Sequence, residues 1–131
     1  MSSILPCQVD GLVRIYTYTE RNAFFEFENQ EKLQKAKDAF MLYITNSSMF
    51  YLNESLIPEH TKFVFGVSAD TSIKSVEELI RRVTEVITTE TSLKKDIPII
   101  PITIEYLIYK VKNSLRIFRK KINLIKFFIF W

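Results

Sequence analysis

Residues 12–19 (LVRIYTYT) and 23–28 (AFFEFE) are two short runs rich in β-branched and aromatic residues, separated only by the polar Glu20-Arg21-Asn22. Alternation at period two with a polar break predicts a strand hairpin. The period then changes. Leu33, Ala36, Phe40 and Tyr43 recur at three- and four-residue steps behind Asn29, a residue suited to capping, which predicts an amphipathic helix over 30–44. A chain of 131 residues is long enough for one core but not two ordinary ones, so strands and helices must share it.

The same reading extends downstream. Residues 49–52 (MFYL) form a short strand candidate before a loop that contains Pro58 and His60, and 62–69 (KFVFGVSA) has the length and apolarity of a central strand. Ile73, Val76, Ile80, Val83 and Ile87 then define one helical face, with Ser75 and Glu78 spaced as a capping box. Residues 88–95 are polar and linker-like. Pro98 and Pro101 keep 97–102 out of a helix interior, and a strand within 99–109 stays open. From Ile104 onward, positions 104, 108, 111, 115, 118, 122, 125 and 129 are all large and apolar, a heptad seam that predicts a long basic amphipathic helix.

Charge divides the chain unevenly. The first 109 residues hold eleven basic and fifteen acidic side chains, net −4, whereas the last 22 hold seven basic and none acidic, net +7. Such asymmetry assigns the two segments different jobs or different origins. The Lys, Ile, Phe, Asn and Leu content of 110–131 is also that of translated A/T-rich non-coding DNA, so a truncated or alternative end is one of the readings. With two glycines, Gly11 and Gly66, no glycine-rich phosphate loop can be written. Cys7 is the sole cysteine, which excludes an internal disulfide, and the N-terminal residues lack a basic leader followed by an apolar stretch. The expected setting is cytoplasmic, peripheral on intracellular membranes if the basic end engages them.

Catalytic chemistry finds little support. His60 is the sole histidine, so a metal cluster or a Ser/Cys/His constellation has few members to draw on, and no flanking signature pairs it with Cys7. The paired carboxylates Glu26/Glu28 and Glu77/Glu78 read as the polar face of a strand and a solvated helix face. No catalytic residue, cofactor or metal is expected. What the sequence offers is a basic surface at Lys110, Lys112, Arg116, Arg119, Lys120, Lys121 and Lys126, interleaved with an apolar face at Leu115, Phe118, Ile122 and Ile125. Cations beside aromatic rings suit an anionic membrane surface or nucleic acid. The apolar face suits a partner helix or docking on the chain's own sheet, and a heptad seam can also pair with itself.

Several segments resemble the longin domains found in the small sigma subunits of clathrin adaptors and in longin-type trafficking proteins. Gly11-Leu-Val-Arg-Ile-Tyr and Phe24-Phe-Glu-Phe stand where such domains open with a hairpin, and Asn29-Gln-Glu-Lys-Leu-Gln-Lys-Ala stands where their first helix begins. Lys62-Phe-Val-Phe-Gly-Val-Ser-Ala-Asp-Thr-Ser is similar to their last central strand and its turn into a long second helix. Glu105-Tyr-Leu-Ile-Tyr-Lys-Val is like the start of their third. The resemblance spans about 11–118 and departs at 48–61, where there is room for one strand rather than a hairpin. It implies a non-enzymatic module that binds small GTPases, fusion proteins or coat subunits.

The expectation is therefore an α+β fold: a mixed, mainly antiparallel sheet of four to five strands packed by two amphipathic helices, plus a basic amphipathic C-terminal helix. Residues 1–10 are read as an N-terminal extension, 11–109 as the domain and 110–131 as the basic apolar segment. The rival function is a small basic nucleic-acid-binding or virus-type accessory protein.

Overall fold

A computed structural model of the chain describes residues 3–19, 21–47, 49–53, 61–102 and 116. The chain divides into two units, 1–101 and 102–131. Of the second, the structure describes Ile102, which is buried, and Arg116, which is helical and exposed. The remaining sequence-predicted C-terminal site residues, and the helix predicted to carry them, lie outside the described residues.

The first unit runs β1 (Ser3–Cys7), β2 (Leu12–Thr17), β3 (Asn22–Phe27), α1 (Gln30–Ile44), β4 (Phe50–Leu52), β5 (Val64–Ala69), α2 (Val76–Ile87) and β6 (Lys95–Pro101). The six strands form one sheet in the order β1-β6-β2-β3-β5-β4. Every neighbouring pair is antiparallel except β2 and β6, which run parallel. Both helices lie on crossover connections, α1 from β3 over β5 to β4 and α2 from β5 over β3 and β2 to β6.

The α+β class and the mixed sheet agree with the sequence, but the strand number is corrected to six among the described residues. β1 was not anticipated, and β6 overlaps at 99–101 the strand left open within 99–109. β1 falls in the stretch read as an extension and contains Pro6; it is an edge strand, where a missing N–H is tolerated. β6 carries Pro98 and Pro101 and lies one place in from that edge, where proline ordinarily argues against a strand.

Caps fix the helix starts. Asn29 Oδ1 accepts the Lys32 N–H at 2.9 Å, and Ser75 Oγ accepts the Glu78 N–H at 3.2 Å. The Glu78 carboxylate reaches back to the Lys74 N–H at 3.1 Å, one residue before the cap, so the box closes one position out of register. The core lies between the helices and one sheet face. Ile15, Ala23, Phe25, Phe27, Phe65, Val67, Ala69 and Ile97 alternate onto that face and meet Leu33, Phe40, Leu79, Ile80, Val83 and Ile87. Phe65 is its aromatic centre, stacked with Phe25 at 5.4 Å and Phe27 at 5.9 Å and tilted against Phe40 at 6.1 Å.

The opposite face also holds a buried ring. Phe24 is fully buried and stands across from Gly66 in the β3–β5 register. A Cβ at residue 66 would come within 2.8 Å of that ring and 2.0 Å of the Asn53 carbonyl oxygen, so only glycine lets these segments approach.

Candidate functional site

The outer surface of the helical layer carries a groove along the seam between α1 and α2. It forms because the seam is lined by small side chains: Ala36 and Ala39 on α1, and Val86 on α2, flanked by the threonines that follow that helix. One cavity of about 350 Å³ is bounded by Val9, Asp10, Lys32, Lys35, Ala36, Ala39 and residues 86–91. A second, of about 420 Å³, is bounded by Tyr43, Arg81, Arg82, Glu85 and Val86. Val86 lines both. The α1 side recurs at 32, 35/36, 39 and 43, which is helical spacing and runs about 16 Å along the axis.

Each end is set by local geometry. At the first, Lys32 Nζ lies 2.5 Å from Asp10 Oδ2, and this hydrogen bond raises the lysine above its ordinary pKa. Gly11 has φ +78°, a left-handed turn that any side chain would strain, and a Cβ there would meet the Lys32 stem at 2.6 Å. At the second end, Arg81 pairs with Glu85 at 3.3 Å and Arg82 with Glu78 at 3.7 Å, both one turn apart on α2. The first cavity therefore has a mainly apolar lining, whereas the second is walled mostly by charged and polar side chains.

The titratable groups elsewhere have structural explanations. Glu26, read from sequence as part of the polar face of a strand, is only 9% exposed. Its Oε1 accepts from Arg14 Nε at 2.6 Å and, more weakly, from the Tyr16 hydroxyl at 3.4 Å. The signal was present in the hairpin, because Arg14 is the register partner of Glu26 on β2. Arg14 is raised chiefly by its hydrogen bond to Glu26; Tyr16 is raised first by burial and then by the nearby carboxylate. Cys7 is half-buried on β1, and burial pushes its thiol up, away from the thiolate. Among the described residues no group of three or more His, Cys, Asp or Glu is placed to hold a metal, and no helix is long and apolar enough to cross a membrane. His60 lies outside the described residues.

Of the residues singled out from sequence as binding surfaces, Arg116 alone is described; Lys110, Lys112, Arg119, Lys120, Lys121, Lys126, Leu115, Phe118, Ile122 and Ile125 are not. The groove residues Lys35, Ala39 and Val86 were not anticipated. Ala39 and Val86 each sit beside the main apolar stripe of their helix, and an apolar residue just off the stripe is the signal that marks them. Comparison with protein-family models, curated proteins and solved structures finds no match to this chain.

Proposed function

We propose that this protein is a non-enzymatic interaction module of membrane trafficking or small-GTPase regulation, working as part of a larger complex. The observation that carries the reading is the α1/α2 groove. The apolar lining of its first cavity, its helical spacing along α1 and the charged side chains of its second favour an amphipathic helix from a protein partner. Exposed Leu42, 72% accessible, extends the stripe through Lys35 and Ala39 by one further step and adds apolar area beside the groove. The order hairpin, helix, two strands, helix supports the trafficking assignment through the longin resemblance, a fold-level analogy. In this reading the basic segment 110–131 holds the module at an anionic membrane surface while the groove engages the partner.

Titration of the full chain with purified small GTPases in both nucleotide states, and with coat-complex subunits, tests this. The expected complex loses about tenfold or more in affinity with Ala39→Trp, about 1.4 kcal/mol, and changes little between low and physiological salt. Ala39 is exposed, so that substitution fills the groove without entering the core. Binding only to nucleic acid, weakening steeply with salt and indifferent to residue 39, sinks the reading in favour of phosphate contacts by the basic segment.

A further inference from the structure

The sheet order contains a slot. β1 and β2 are consecutive strands joined by residues 8–11, yet they do not pair; β6 lies between them, antiparallel to β1 and parallel to β2. Neighbouring strands stand about 4.8 Å apart, so β1 and β2 are separated by about 10 Å. Four extended residues span at most about 14 Å, enough to bridge that gap with little slack. Without β6, each side of the slot would present a row of unpaired main-chain groups. β6 fills that gap, with its Ile97 buried on the helix-facing side.

β6 carries fewer main-chain donors and buries fewer side chains than the central strands. Pro98, opposite Ile4, and Pro101, opposite Thr17, have no N–H to donate. Ile97, at 3% exposure, is the strand's one buried side chain, and the remainder are half-buried or exposed. The connection from α2 is held to the β1–β2 link by Thr89 N–H donating to the Gln8 carbonyl at 2.7 Å and by Gln8 Nε2 donating to the Ser92 carbonyl at 3.2 Å. Beyond Ser92 come Leu93 and Lys94, both exposed, Leu93 at 81%. The connection is thus fixed up to residue 92 and open at 93–94, which places a hinge immediately before the strand.

We propose that the β1/β2 slot accepts β6 from a second copy of this chain, giving a reciprocal strand-exchanged dimer with its hinge at Leu93-Lys94. The register and the Ile97 contact are identical whether the strand arrives from its own chain or another, so exchange changes only the hinge. The exchanged form also brings two hinges close together, where each Leu93 gains an apolar neighbour. This inference is independent of the groove and its partner.

Cys7 and Lys95 are register partners across β1 and β6. Directly opposed Cα atoms in an antiparallel pair lie about 4.5–5.5 Å apart, within disulfide range, so Lys95→Cys in the full chain reports which copy supplies β6. After refolding at low and at high micromolar concentration and mild oxidation, peptide mapping should find the 7–95 bond within one chain at the first and increasingly between chains at the second. Light scattering should then give twice the 15.5 kDa chain mass. Adding Cys7→Ser to the same chain should abolish this crosslink. Bonding within the chain alone at every concentration, or a dimer whose 7–95 bonds are all internal, overturns the proposal. The unsubstituted chain supplies a second measurement: refolded at high concentration, it should yield a dimer that converts to single chains only on unfolding, and a single-chain mass throughout overturns exchange as well.

Discussion

At the scale of single residues, Gly66 carries the sharpest consequence. The Cβ of an alanine there would stand 2.0 Å from the Asn53 carbonyl oxygen and 2.8 Å from the Phe24 ring, so main chain and ring both have to yield. Gly66→Ala is expected to cost on the order of 3 kcal/mol, the upper end for overpacking, measured by urea unfolding. Trimming the ring with Phe24→Leu in the same chain should restore only part of that loss, because the carbonyl contact is backbone and remains. Full rescue would show that the Asn53 approach is not the constraint. Glu26 illustrates the other side of residue-level reasoning. Alternation placed it on the face away from the core, and it does lie there, yet its burial depends on Arg14 and Tyr16 on the neighbouring strand, which strand periodicity taken alone cannot report.

At the scale of elements, the two helices are held by caps that can be removed separately. Asn29→Ala and Ser75→Ala should each lower stability by about 1 kcal/mol, while the corresponding glycine substitutions cost only a few tenths. Thermal unfolding of the four variants checks both statements, and equal losses for alanine and glycine would contradict the capping assignment. These helices were also the most legible elements: α1 spans the residues its periodicity predicts, and α2 buries Ile80, Val83 and Ile87 as their spacing requires, while Ile73, read as part of the same helical face, is buried ahead of the helix. β2, β3 and β5 follow from local pattern for the same reason, since each keeps an alternating or apolar signature of its own. β1 and β6 were harder, because Pro6, Pro98 and Pro101 mask a strand whose existence depends on a neighbour more than eighty residues away. The groove was illegible for a related reason. Its walls come from different helices, and no single window of sequence contains both.

At the scale of the whole molecule, stability should have a broad plateau bounded by titrations of opposite sense. Asp70 is held below the ordinary carboxylate range by hydrogen bonds from the Ser72 hydroxyl and N–H, so its contribution is present above about pH 4 and is lost as pH falls through its lowered value. Tyr16 and Lys32 are raised, so theirs are present below about pH 10 and are lost as pH rises through the shifted values. The unfolding midpoint should therefore decline at both extremes. Asp70→Asn should flatten the acid arm and Tyr16→Phe the alkaline one; an unchanged profile in either variant would remove that group from the account.

The placement of β6 also matters before folding is complete. A ribosome delivers β1 through α2 with the middle of the sheet still missing, and residues 95–101 must emerge before the gap can close. Any chain interrupted upstream of that point, by a stop codon, a protease or a splice choice, keeps two facing strand edges open. Such fragments are natural substrates for aggregation or for chaperones that recognise extended apolar segments. The last strand of the sheet is in effect its quality check: only a product translated through Pro101 can fill the gap between β1 and β2 with its own strand.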